Sequence, residues 1–240
     1  MHIASSPLES LTPPPLHGYR GDPSDPAPLD RPMGPTVAVS REAGARGWSI
    51  AKRVSVALGW QLFDQDQLDA LVQDERARSE LLAGIPAGAR HWADDQLARL
   101  GRERILTVGP AAVEVARLLL AIAARGEAVL VGRGAGFLLP PDTTVHVRVV
   151  APLADRVAYM GQWLRQPRDE AAAEVAARDK RRSTYLAHLL GRDPSETHAY
   201  DLVVNSSRLG EEACADLTVI AVRAKQAPPD EGDPFLPDAA

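Results

Sequence analysis

The sequence has a single cysteine, Cys214, in 240 residues. One thiol excludes an internal disulfide framework and a cysteine-based zinc site. The longest strongly apolar stretch, 118–124, falls far short of the ~20 residues that span a bilayer. The first residues hold no basic segment followed by an apolar run, so no secretory signal is read there. Positive charge is not in excess either. The formal net charge is -5, and 36–226 carries 25 basic against 24 acidic side chains. That balance lacks the electrostatic footprint of a nucleic-acid binder, so any anion site must be a local cluster of arginines. No internal repeat is visible. The expectation is a cytoplasmic protein with neither a membrane nor a nucleic acid as partner.

Proline is scarce where the chain is otherwise rich in apolar residues. Only seven of the 20 prolines lie in 36–226; nine lie in 1–35 and four follow residue 226. Proline removes a backbone donor and blocks the helix interior. Residues 1–35 and the acidic 227–240 are therefore expected to be disordered tails around one domain, 36–226.

Within that domain, strand and helix patterns alternate. The valine-rich run at 36–40 reads as a buried strand. Ile50, Val54 and Leu58 then mark a helix that Gly59 stops. A short strand at 61–64 precedes helical stretches at 66–83 and 91–107, with a break at 84–90. The apolar helix 111–125 is ended by Gly126 and leads into strands at 128–131 and 144–150. In the latter, Val145, Val147 and Val149 alternate with His146 and Arg148. A helix opened by Pro152 follows, then a break at 165–168, a charged helix over 169–190, a strand at 201–205 and a last helix from 210 to 225. Strands alternating with helices predict an α/β fold with a parallel sheet and helices on both faces. Ligands bind at the carboxyl ends of such strands.

Three segments sit where chemistry is expected. The first, 40–49, is a glycine-bearing turn between a strand and a helix, the arrangement that presents backbone N–H groups to a phosphate. It lacks the lysine of a regular phosphate-binding loop. Laid on that pattern, Gly47 takes the lysine place and Ser49 lies near the hydroxyl place, while Arg41 and Arg46 could supply the charge. An ordinary turn with exposed arginines is the other reading. The second is Gly-Arg-Gly-Ala-Gly at 132–136. With Pro140 and Pro141 close behind and a strand as the next regular element, it is not a dinucleotide fingerprint. It sets Arg133 at a strand tip, either as a phosphate or base contact or as a surface ion pair. The third is the run Arg178, Asp179, Lys180, Arg181 and Arg182, where 178 and 182 share a helix face. It is either a cationic face over an active site or a solvated one. His91, Trp92, Asp94 and Asp95 read as a helix start and its surface, with an acceptor pocket as the alternative.

These pieces, in this order, resemble the cytidylate kinase-like family of the nucleoside monophosphate kinase fold. The resemblance is carried by VAVSREAGARGWSIAKRVSVALG, FDQDQL, VLVGRGAGFLLPPDTTVHVRVVAPLADRV, ARDKRR and AYDLVVNSSRLG, over about 36–225. It implies a five-stranded parallel sheet, a helical lid, ATP with Mg²⁺ as phosphoryl donor and a CMP-like nucleoside monophosphate as acceptor. It implies that the loop backbone at Gly44, Ala45, Gly47, Trp48 and Ser49 cradles phosphate with Arg41, and that Ser49 ligates the metal. Asp64 and Arg133 match positions near the acceptor, and Arg156 matches the arginine at the start of the helix before the lid. Arg178, Asp179 and Arg182 match the lid. The catalytic set it implies is Arg46, Arg178 and Arg182, with Arg156 and Asp179 on the substrate. The family loop itself lacks the lysine, and here Ala43 stands for its aromatic and Arg46 for a glycine. A catalytically weak or inactive nucleotide-binding module on the same fold is the alternative function.

Overall fold

A computed structural model of the chain describes residues 31–103 and 109–226. Five strands form one parallel sheet: β1 (Thr36–Arg41), β2 (Gln61–Phe63), β3 (Ala128–Val131), β4 (Thr144–Val150) and β5 (Leu202–Asn205). Their spatial order is β2-β3-β1-β4-β5, and every pair is parallel. β1 is central, so its carboxyl end opens at the middle of the sheet, where the strand order reverses and ligand crevices form.

The alternation along β1 divides the core in two. Val37 and Val39 face one side, where they join Val129, Val131, Val145, Val147 and Val149 beneath α1 (Gly47–Leu58) and α9 (Ser206–Gln226). Ala38 and Leu130 face the other side. There they meet α2 (Gln65–Gln73), α5 (Pro110–Arg125) and the end of α8 (Arg168–Leu190). Helices thus cover both faces, as the unbroken apolar runs of the strands require. A third, smaller cluster of Ala43, Val157, Met160, Ala171 and Val175 ties α7 (Leu153–Leu164) and α8 to the loop after β1.

Several boundaries differ from the sequence expectation. The helix expected at 66–83 is two, α2 and α3 (Glu75–Ala83), because the Asp74 side chain accepts from Ala77 N–H at 3.0 Å and starts a new helix. The break expected at 84–90 is shorter, since α4 begins at Ala87 (Ala87–Arg102). The end of the helix expected at 91–107 lies outside the described residues. A one-turn helix, α6 (Ala135–Leu138), stands between β3 and β4, where a strand was expected next. α9 starts a turn before Gly210, which bends it with φ 79°. The domain also begins earlier than residue 36. Met33 N–H donates to the Ala124 carbonyl at 2.8 Å, and Glu127 N–H to that of Pro35 at 2.9 Å. The expectation of disordered tails at 1–35 and 227–240 falls, except for residues 31–35, outside the described residues. Among the described residues, no helix is long and apolar enough to cross a membrane.

Candidate functional site

The loop after β1 ends against the N-terminus of α1. Arg46 occupies the N-cap with φ 60°, no side chain caps the helix, and its first turn holds no acidic residue. The first N–H groups of a helix have no intrahelical acceptor. Here neither a capping side chain nor a carboxylate answers them, and a helix terminus in that condition attracts an anion.

Beside this loop lies a cleft of about 530 Å³ at the carboxyl edge of the sheet. Six arginines line it: Arg41, Arg133, Arg148, Arg178, Arg181 and Arg182. Asp64 and Asp66 are its acidic members, and Ser40, Trp48, Phe137 and Tyr185 also face it.

Arg41 lies along the floor of this cleft. A Cβ placed on Gly47 would fall 2.6 Å from Arg41 Cβ and 2.9 Å from its Cγ. A Cβ on Gly132 would fall 2.5 Å from Arg41 Nη1. The side chain therefore runs across Gly47 and ends over Gly132, in the space that a side chain at 47 would need. Burial, and then Arg182, lower its pKa to about 9, while Asp64 raises it. This charge sits among like charges in a low-dielectric place, an environment that an anionic ligand relieves.

Arg46, also expected to supply charge, points elsewhere. Its guanidinium lies 5.1 Å from the centre of the Tyr159 ring and 3.9 Å from Glu211, and it does not line the cleft. Its backbone explains this: the left-handed conformation at the cap turns the side chain toward α7 and α9. Ser49, expected on the metal, is half-buried in the first turn of α1 and is not a lining residue. Ala45 is fully buried, and its N–H donates to the Glu42 carbonyl at 3.2 Å.

Arg156 and Asp179 were expected on the substrate, but they face each other. Arg156 is 9% exposed and pairs with Asp179 at 2.6 Å; it also reaches the Ala43 carbonyl at 3.2 Å. Asp179 accepts from Ala43 N–H at 2.7 Å. Gly44 packs against the Arg156 backbone, where a Cβ would come within 2.5 Å of its carbonyl oxygen. The pair clamps α7 and α8 to the glycine loop, with the Arg156 side chain buried and that of Asp179 half-buried.

The other expected residues do meet. Asp64 caps α2 by accepting from Gln67 N–H at 3.0 Å, and its second oxygen accepts from Trp48 Nε1 at 3.4 Å. Arg133 is paired with Asp69 and stacked at 5.2 Å over Tyr185, and its Nε is buried without an acceptor. The backbone sets it there, since residues 132, 133 and 134 all have positive φ, which two glycines of the three permit at low cost. Arg178 pairs with Glu174 at 2.6 Å, and Arg181 reaches the same carboxylate at 3.4 Å. Arg182 donates to the Arg41 carbonyl at 3.4 Å. Burial lowers the Arg182 pKa, opposed chiefly by Asp179.

His91 and Asp95 pair at 3.6 Å on the exposed side of α4, and Trp92 is buried in the core, so this group lies apart from the cleft. Sequence reasoning gave no role to Ser40, Asp66, Arg148 or Tyr185. For Arg148 a signal existed: a charged residue on a strand otherwise buried in the sheet needs a destination.

The donor set bears on a metal. Among the described residues no group of three or more His, Cys, Asp or Glu could hold an ion. The cleft offers the carboxylates of Asp64 and Asp66. That is too few for a closed protein cage but fits magnesium, which takes one or two carboxylates and completes its shell with water and substrate phosphates.

The sequence model described as the cytidylate kinase-like family matches residues 36–208. A cytidylate kinase of Ignicoccus hospitalis is 28% identical over 104 residues, which is 43% of this chain and 60% of that protein. A cytidylate kinase of Halobacterium salinarum is 30% identical over 108 residues, 45% of this chain and 56% of that protein. The matched segments thus span little more than half the length of these relatives. A crystal structure of an uncharacterized protein from Eubacterium ventriosum superposes with a TM-score of 0.55 at 17% identity, covering 79% of this chain and 98% of that one. This last likeness is one of fold.

Proposed function

The chain belongs to the cytidylate kinase-like family, and on that premise we propose that it transfers the terminal phosphoryl group of ATP to a nucleoside monophosphate of the CMP class. The observation that carries the reading is the cleft of six arginines beside the uncapped N-terminus of α1. Phosphoryl transfer spreads charge over the transferred oxygens, so catalysis is mainly positioning and charge neutralisation.

The residues divide by place. The N–H groups at the start of α1 and the Arg41 guanidinium hold the donor phosphates, with Arg41 standing in for the lysine that Gly47 replaces. Arg178, Arg181 and Arg182 cover the transferring group from α8. Asp64, Trp48 and Arg133 orient the acceptor. Asp64 and Asp66, rather than Ser49, would hold Mg²⁺. That ion supplies charge neutralisation at the phosphates when bound. Arg46 has no part in the transfer.

A nucleotide-binding module without turnover is the second reading. The observation that favours it is Arg41 in place of a lysine: the guanidinium is bulkier, planar and differently hydrated, and is no equivalent for a compact ammonium.

A melting and turnover panel tests both. A nucleotide at a hundredfold excess over its dissociation constant stabilises by about 2.7 kcal/mol, or roughly 5–10 °C for a domain of this size. Millimolar Mg-ATP should raise the melting temperature by that order, and CMP should be converted to a diphosphate. Arg41→Met should lose at least tenfold in nucleotide affinity, about 1.4 kcal/mol, whereas Arg46→Met should keep it. No shift with any nucleotide sinks the reading. A shift without turnover selects the module.

A further inference from the structure

Transfer to a monophosphate needs no general base, since the acceptor oxygen is already an anion. The cleft nevertheless contains a hydroxyl set against one. Ser40, near the carboxyl end of β1, lines the cleft, and its Oγ lies 2.9 Å from His146 Nε2. His146 Nδ1 lies 2.6 Å from the Ala199 carbonyl oxygen. A carbonyl can only accept, so Nδ1 carries the proton and Nε2 is left as an acceptor. The Ser40 hydroxyl donates to it.

The imidazole is held in that orientation. Phe137 meets it edge-on with ring centres 4.9 Å apart, and Tyr200 lies at 4.3 Å. A Cβ on Gly136 would clash with the ring at Cδ2 and Nε2, so the glycine of α6 is what admits it. Burial lowers the His146 pKa to about 4, so the ring is neutral at ordinary pH. Around the hydroxyl are cations. Arg148 is the register neighbour of Ser40 on β4, and Arg182 reaches the carbonyl of the next residue, Arg41.

Ser40 therefore directs its proton inward, to a base with a fixed tautomer. The same hydroxyl is within hydrogen-bond reach of the Tyr200 side chain, and Ser40 lines the arginine-rich cleft. Hydroxyl, base and orienting acceptor make the arrangement of an activated nucleophile. We propose that Ser40 is itself a phosphoryl acceptor and that the protein phosphorylates this residue from a bound nucleoside triphosphate. The inference rests on the nucleotide reading above. In the step, Ser40 Oγ bonds to the terminal phosphorus as the bond from that phosphorus to the bridging oxygen breaks. The nucleoside diphosphate leaves with the electron pair, and the hydroxyl proton passes to His146 Nε2 and on to solvent. A weak base suffices, because in a loose transition state the nucleophile loses its proton late. The phosphoserine formed is a dianion beside Arg148 and Arg182, the setting in which such a group makes charge-assisted hydrogen bonds.

The full chain is incubated with Mg-ATP and no acceptor, then measured by intact mass and peptide mapping, with the melting shift taken on the same sample. The expected result is one added phosphoryl group, about 80 Da, on the peptide that contains Ser40. Ser40→Ala should gain none. Ser40→Thr, which keeps the hydroxyl, should still be modified. His146→Asn should slow the modification at least tenfold, the lower range of general-base effects. A wild type that shifts with Mg-ATP but gains no phosphate on Ser40 overturns the proposal and leaves the nucleotide reading standing. An absent shift removes both. A His146→Asn protein that melts lower yet is modified at the wild-type rate shows the histidine to be a packing residue, and the dyad is then refuted.

Discussion

Arg41 and Arg46 lie in the same loop and carry the same charge, yet they end in different environments. Arg41 closes β1, and two glycines leave it a path along the cleft floor. Arg46 sits at a helix cap in a left-handed conformation, and Glu211 and Tyr159 receive it on the outer side. Sequence could place both in the loop but could not separate them, because their partners come from distant parts of the chain. His146 shows the same limit. Alternation placed it on a strand, but its burial depends on Gly136, Phe137 and Tyr200 converging on it. That burial has a pH consequence. Burial is the largest influence on its pKa, with the Ala199 carbonyl and Asp201 opposing and Arg148 and Lys225 adding. The folded pKa of about 4 lies below the ordinary 6.5. Between those values the unfolded chain holds the proton and the folded chain does not, so stability rises with pH there and is lost as pH falls from 6.5 to 4. The full difference is on the order of 3 kcal/mol. We expect the stability gap between wild type and His146→Gln, from urea melts, to narrow by that order from pH 7 to pH 4. A gap that does not change with pH would show that the ring titrates normally.

At the scale of elements, α8 does two jobs from neighbouring positions, with Asp179 and Arg182 3.8 Å apart. Asp179 fastens it to the glycine loop through Ala43 and Arg156, while Arg178, Arg181 and Arg182 look into the cleft. The arginine run was legible as a charged helix, and its three cleft arginines share the face that spacing suggested. That Asp179 serves the clamp was not legible, since it depends on a buried arginine from α7. The three arginines also differ in their ties. Arg178 and Arg181 share Glu174, whereas Arg182 bonds the backbone of the loop itself. Arg182 is thus the member tied directly to the loop after β1. A contact made chiefly in the transition state lowers turnover without changing ground-state affinity. Arg182→Ala should lower turnover at least tenfold, about 1.4 kcal/mol of barrier, while the Michaelis constant changes by less than a few-fold. Steady-state rates with Mg-ATP and CMP decide this. Equal turnover in the two proteins would remove Arg182 from the mechanism.

For the molecule as a whole, the parallel sheet with two helical layers was readable because its signals are local. Valine runs mark buried strands, and Gly59 and Gly126 stop the helices that precede β2 and β3. Edges were read less well, because a composition shift dates a boundary only roughly. Composition puts the end of the proline-rich segment at residue 35, yet Met33 and Pro35 bond to the chain around Gly126, and Gly34 lies where a Cβ on Gly126 would come within 2.5 Å of its nitrogen. These contacts separate two shortened proteins that composition alone would treat as equal. A chain of residues 31–226 keeps both backbone bonds. The segments it loses are proline-rich, with an acidic C-terminal piece, a composition poor in the apolar side chains that stabilise a fold by burial. Its melting temperature should stay within a few degrees of the full chain. A chain of residues 36–226 loses two hydrogen bonds worth roughly 0.5–1.5 kcal/mol each. At about 2–4 °C per kcal/mol for a domain of this size, it should melt roughly 5 °C lower. Differential scanning calorimetry of the three proteins at one pH makes the comparison. Equal melting of the two shortened chains would mean that 31–35 adds nothing to the fold, and a large loss already at 31–226 would mean that one of the removed ends packs on the domain.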